Sequence, residues 1–182
     1  GDQVPDLDEP ERLKALFAAV NELRAAGHIL AYHDRSDGGL WAAVCEMAFA
    51  GQLGVSLNVD MLVTESDGIA DSRAEYGDSK NWATQVSERR SELTLKALFN
   101  EELGVLLQVP RAQRDDAFAT LRRHGLGACS HAVGRTNDKR VVEVWRDAKA
   151  VFSAPLRELQ QAWDEVSWRI ARQRDNPACA DA

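Results

Sequence analysis

"LAYHDRSDGGLWAAVCEMAFAG", Leu30 to Gly51, changes character twice. It opens apolar, crowds His33, Asp34, Arg35, Ser36 and Asp37 ahead of Gly38 and Gly39, and then turns apolar again. The short first run predicts a strand over about Ile29 to His33. In the second run Leu40, Val44, Met47 and Ala48 share one side of a helix, and Trp41, Cys45 and Phe49 share another. That spacing predicts a helix from Asp37 or Gly38 to Gly51, buried on more than one side, with Glu46 as its one clear charge. Part of this helix is expected to lie under a partner domain. The polar island thus falls where a strand ends and a helix begins, and the flanking sequence extends the same alternation.

Upstream, a helix is expected after an Asp8 cap, with Pro10 in its first turn, an apolar stripe of Leu13, Leu16, Phe17, Val20 and Leu23, and a stop at Gly27. Downstream, "GVSLNVDMLV" from Gly54 alternates like a strand. Thr64 to Glu92 is polar, charged and poor in aliphatic residues, which predicts a long surface excursion or a partly disordered one. A helix through "LTLKALFNEE" follows, and "GVLLQVP" from Gly104 is apolar enough for a central strand. "RAQRDDAFATLRRHG" is amphipathic through Ala117, Phe118 and Leu121. Two more strands are expected around His131 to Arg135 and Arg140 to Val144, the second continuing to Phe152 after a turn at Asp147. A last helix carries Leu156, Leu159, Trp163, Val166 and Ile170 as a core stripe and stops near Asn176 and Pro177, with Trp168 set apart to meet a neighbouring domain. Such alternation predicts an α/β or α+β fold, with helices covering a mixed sheet.

The 182 residues suit one domain with tails. A hydrophobic content of 45% and a charged content of 28% are those of an ordinary globular chain. With a net charge of -7 and a pI near 5.1, no basic footprint for nucleic acid is present. Cys45, Cys129 and Cys179 are widely spaced and odd in number, which speaks against a disulfide scaffold or zinc site and for a reducing, cytoplasmic setting. No apolar run approaches the ~20 residues that span a bilayer. The opening "GDQVPDLDEP" reads as a linker and "RQRDNPACADA" as an unfinished tail, so a fragment of a longer polypeptide is expected.

The island offers chemistry as well as structure. The first amides of a helix lack internal partners and carry partial positive charge. Ser36, Gly38 and Gly39 are small enough to let an anion approach them. Asp34, at the strand end, is placed to hold Mg²⁺, which bridges to phosphate oxygens, and the Ser36 hydroxyl could donate to a phosphate or nucleotide. Capping alone also explains a turn rich in Asp, Ser and Gly, and Asp37 keeps that role in either case. His33 is expected to be packed or hydrogen-bonded. A hydrolytic metal site from His33 and Asp34 would need further ligands, which the scattered His28, His124 and His131 do not supply. Cys45 is expected as a small core residue, and Glu101 and Glu102 as solvated charge or capping groups.

"AYHDRSDGGL", "EMAFAG", "FNEELGVLLQV" and "WRIARQRDNPACAD" occur in this order and together resemble phosphoribosylformylglycinamidine synthase, in its large glutamine-dependent form. The resemblance implies the second copy of the domain related to the C-terminal domain of aminoimidazole ribonucleotide synthetase: a layered sandwich with a mixed sheet of about four or five strands covered by helices. It implies a linker over 1–10, the domain over 11–175 with 64–92 as a polar insertion, and a tail over 176–182 leading toward a glutaminase domain. The implied enzyme is an ATP- and glutamine-dependent ligase of purine biosynthesis. Carried over residue by residue, the resemblance gives Asp34 as a Mg²⁺ ligand and Ser36 as a nucleotide contact at a structural ADP site, and no catalytic residue. The other domains of the same polypeptide, including the second nucleotide-binding half, would be its partners. A scaffold that only packs against neighbouring domains is the alternative.

Overall fold

The computed structural model describes residues 7, 9–67 and 82–181. The chain divides into two compact units, residues 1–47 with 59–133, and residues 48–58 with 134–182. No described helix is long and apolar enough to cross a membrane.

In the first unit, α1 (Pro10–Ala25) starts with Pro10 at its first positions behind Glu9, and the expected cap, Asp8, lies outside the described residues. It buries Ala19 and Leu23, whereas Phe17 of the predicted stripe is exposed. The helix ends in a Schellman turn, with the Gly27 amide donating to the Arg24 carbonyl and the His28 amide to that of Leu23. Strand β1 (Ala31–Arg35) follows and pairs antiparallel with β3 (Gly104–Gln108), Asp34 opposite Val105. These two strands form a separate two-stranded sheet in which every β3 residue is half-buried, so "GVLLQVP" does not take the central place its apolarity predicts.

Helix α2 (Gly39–Gly51) begins in this unit and buries Leu40, Ala43, Val44 and Cys45 here, and Ala48 and Phe49 beyond it. Its predicted burial on several sides is therefore observed. Helix α3 (Asp60–Asp67) replaces the second half of the expected strand. Val59 and Val63, both fully buried, alternate like strand residues but are also one helical turn apart, and the Val63 amide donates to the Val59 carbonyl. Helix α4 (Trp82–Phe99) packs beside α3 and starts well inside the polar stretch, because Ala, Gln, Glu and Arg favour helix without supplying an aliphatic stripe. A 3₁₀ turn, Arg111–Gln113, leads into α5 (Arg114–Arg123), which lies against α1.

The second unit holds a four-stranded mixed sheet in the order β4-β2-β5-β6. Strand β2 (Gly54–Asn58) runs parallel to β5 (Val141–Arg146) and antiparallel to β4 (Gly134–Asn137), which begins later than the expected His131. Strand β6 (Lys149–Pro155) returns antiparallel after the predicted turn. Asp147 and Ala148 both have positive φ there, the backbone of a tight hairpin. Leu57, Val142 and Val144 are at most 1% exposed on one face of the sheet. The other face carries a polar network in which Ser56 Oγ and Trp145 Nε1 donate to Glu143 Oε2 and Asn137 Nδ2 donates to Ser56 Oγ.

Helix α6 (Leu156–Arg174) buries Leu156 but leaves Trp163, Val166 and Ile170 more than half exposed. The predicted core stripe is thus core only at its start. At ~1.5 Å rise per residue the helix outruns the short strands beside it. A short helix, α7 (Pro177–Ala180), follows with Asn176 capping the Ala178 amide.

Candidate functional site

The β1–α2 turn is built by two glycines. The Gly39 amide donates to the Ser36 carbonyl, closing a turn in which Gly38 has φ +78 and Gly39 φ +63. A Cβ on Gly39 would lie 2.7 Å from the Asn100 carbonyl oxygen and 2.8 Å from that of Leu98. The glycine therefore lets α2 begin hard against the end of α4.

Asp34 and Ser36 are both exposed on this turn, as is Asp37. Tyr32 shares the strand face of Asp34, two residues earlier, and is 47% exposed. Partial burial, with the Asp34 charge adding to it, raises the Tyr32 phenol above its ordinary range. Among the described residues no three His, Cys, Asp or Glu side chains converge on one point, so Asp34 belongs to no cluster of three such ligands. A hard cation there would draw its remaining oxygens from water, phosphate or residues of another segment.

The neighbouring groups are committed to the fold. The His33 ring places Nδ1 2.6 Å from the Asp34 carbonyl oxygen and Nε2 2.8 Å from Glu46 Oε2. Each ring nitrogen thus faces a partner within the protein, and the packed, hydrogen-bonded His33 that the sequence suggested is observed. Glu46, seen in the sequence only as a lone charge on an apolar helix, is the partner of His33, and a separation of thirteen positions gives no local signal of it.

The start of α2 differs from the open anion cradle that the sequence suggested. Glu101 Oε1 accepts the Gly38 amide at 2.8 Å, and the Gly39 amide is held by Ser36. Gly38 and Gly39 thus serve contacts inside the protein. Arg35 Nε donates to the Glu102 carbonyl at 2.6 Å, tying β1 to the same loop. Glu101 is a capping group, one of the two roles its sequence context allowed. Cys45 is buried within α2, and its thiol is pushed up to about 12, first by burial and then by the Glu46 charge, so it is no nucleophile.

Two clefts lie along α6, one lined by Trp168, Arg169, Arg172, Gln173 and Pro177, the other by Gln161, Ala162, Asp164, Glu165 and Trp168. They are open faces of one exposed helix and include neither Asp34 nor Ser36.

The family described as AIR synthase related protein, C-terminal domain, matches residues 1–147. Among solved structures, Thermotoga maritima PurL complexed with ATP is 16% identical with a TM-score of 0.59, over 85% of this chain and 23% of its own. PurLQS from Thermotoga maritima is 20% identical with a TM-score of 0.59, over 85% of this chain and 22% of its own. Escherichia coli HypE is 22% identical with a TM-score of 0.53, over 78% of this chain and 38% of its own. The chain spans less than a quarter of the PurL structures it matches, and at these identities the likeness is one of fold.

Proposed function

The chain belongs to the AIR synthase related protein, C-terminal domain, family, and from that premise we propose that it is part of a phosphoribosylformylglycinamidine synthase and completes a magnesium–nucleotide site there. PurL and HypE share this fold under different names, so the fold alone does not choose the reaction. The choice rests on the turn sequence and on one observation: Asp34 and Ser36 are both exposed at the mouth of the strand-to-helix turn. Solved PurL structures complexed with ATP, ADP and AMPPCP support a nucleotide as the ligand class.

The residues fit a hydrated cation better than a bare phosphate. Glu101 holds the Gly38 amide, whereas Asp34 offers an exposed carboxylate. In this proposal Asp34 would hold Mg²⁺, which would supply charge neutralisation for the phosphates of a nucleotide, and the Ser36 hydroxyl would donate to that nucleotide. In this reading the role is structural, and Asp34 and Ser36 bind without taking part in catalysis. The parent ligase would convert formylglycinamide ribonucleotide, ATP and glutamine to formylglycinamidine ribonucleotide, ADP, phosphate and glutamate, in the cytoplasm. Ammonia would come from a glutaminase domain of the same polypeptide, which together with the second nucleotide-binding half forms the set of partners.

The test is Asp34→Asn in the longest natural polypeptide carrying this segment. Loss of bound magnesium and of co-purifying ADP is expected, and unchanged nucleotide content would refute the assignment. A scaffold role is the second reading, favoured by the Glu101 cap. It predicts that Asp34→Asn and Ser36→Ala cost only the ~1 kcal/mol of an ordinary cap deletion, with no linkage to nucleotide.

A further inference from the structure

We infer that Glu101 is a positioning residue for the Asp34–Ser36 turn, an inference that rests on the site proposed above. The contact is long-range, joining the loop before β3 to the amide at the start of α2. The loop that delivers Glu101 is itself shaped, since Asn100 Oδ1 accepts the Glu102 amide at 2.6 Å. The same loop is held from the other side by Arg35, whose Nε donates to the Glu102 carbonyl. Gly104, two residues along the chain from Glu102, lies so close that a Cβ would meet the Arg35 guanidinium at 3.1 Å.

Hydrogen bonds therefore cross between the segments in opposite chemical senses, Arg35 also reaching the Leu103 carbonyl through Nη2 at 3.4 Å. A carboxylate from the loop holds a backbone amide of the turn, and a guanidinium beside the turn holds a backbone carbonyl of the loop. Ser36 lies between Arg35 and Gly38 and Asp34 directly precedes Arg35, so the two anchors flank one proposed ligand contact and adjoin the other. Removing the carboxylate frees one end of that span and lets the turn sample other conformations.

The positioning role depends on an acceptor atom at Glu101 rather than on its charge, and this separates it from a purely electrostatic effect. Glu101→Ala removes the acceptor. Glu101→Gln keeps an oxygen that can accept from Gly38 while removing the charge. The experiment uses the longest natural polypeptide carrying this segment, freed of co-purifying nucleotide, with amide hydrogen exchange of the peptide over Gly38 read by mass spectrometry and Mg²⁺ plus ADP titrated by calorimetry. In Glu101→Ala, Gly38 exchange should rise and Mg-ADP affinity fall by about tenfold each, the scale of one charge-assisted hydrogen bond. Glu101→Gln should restore both to within about threefold, the scale of a neutral bond.

Unchanged Gly38 exchange in Glu101→Ala overturns the inference. So does a variant that melts earlier yet binds Mg-ADP as the wild type does, or a Gln variant as impaired as the Ala one. Asp34→Asn separates the two layers. If Asp34→Asn binds Mg-ADP normally, or the wild type binds none, the site proposal fails, and Gly38 exchange still decides whether Glu101 holds the turn.

Discussion

Alanine at Gly39 isolates the close approach that fixes where α2 begins. Gly39 sits at φ +63, and a Cβ there meets three backbone atoms of the α4 end at 2.7–2.8 Å. Left-handed backbone costs a non-glycine residue about 1–2 kcal/mol. Backbone atoms cannot swing aside as a flexible side chain can, and overpacking of this kind adds about 1–3 kcal/mol. Gly39→Ala should therefore destabilise by roughly 2–5 kcal/mol. Gly27 provides the control, because it has φ +70 with nothing within 4 Å of the added Cβ. Gly27→Ala should cost only the conformational ~1–2 kcal/mol. Urea unfolding of both variants measures the difference. With an m-value of about 2 kcal/mol/M, Gly39→Ala should unfold at a midpoint about 0.5–1.5 M below Gly27→Ala. Equal midpoints at equal m-values would mean that α2 and the end of α4 are not in contact, and the derivation of the turn would fail with them.

Two further outcomes follow from ionisation. Burial pushes the Cys45 thiol up to about 12, while Cys129 and Cys179 are exposed, so a thiol reagent at pH 8 should modify two of the three cysteines in the folded chain and the third only on unfolding; rapid reaction of all three would contradict the burial of α2. Hydrogen bonds from Trp145 and Ser56 hold the Glu143 carboxyl below its ordinary range, so its contribution is present above the unfolded-state value and lost as pH falls through the folded one. Glu143→Gln should flatten that acid limb, seen as a smaller drop in melting temperature between about pH 5 and pH 3. An acid limb identical to that of the wild type would count against the network.

Helices with strong apolar spacing were legible because burial demands that spacing: α2 buries Leu40, Val44, Cys45, Ala48 and Phe49 of its stripes, with Trp41 and Met47 half-buried, and α6 buries Leu156. The hairpin at Asp147 was legible for a similar local reason. Ambiguity entered where one pattern serves two structures. Val59 and Val63 fit a strand face and a helical turn equally, and the helix won. The apolar β3 fits a central strand of a large sheet or one half of a small ladder, and its partner, β1, settled the matter. The site was half legible. Asp34, Ser36 and the two glycines stood out as residue types, but the hydrogen bonds of Glu46 and Glu101 did not.

By itself the sequence determined a mixed α/β chain with a strand-to-helix turn that carries an acidic residue, a hydroxyl and paired glycines, because periodicity and φ requirements are local properties. Only the tertiary structure decided that Gly39 receives the end of α4, that Glu101 holds the Gly38 amide, and that His33 is committed to Glu46. Those contacts join residues far apart in the chain, and the energy of such a pair depends on where folding brings its atoms, which composition and spacing do not encode.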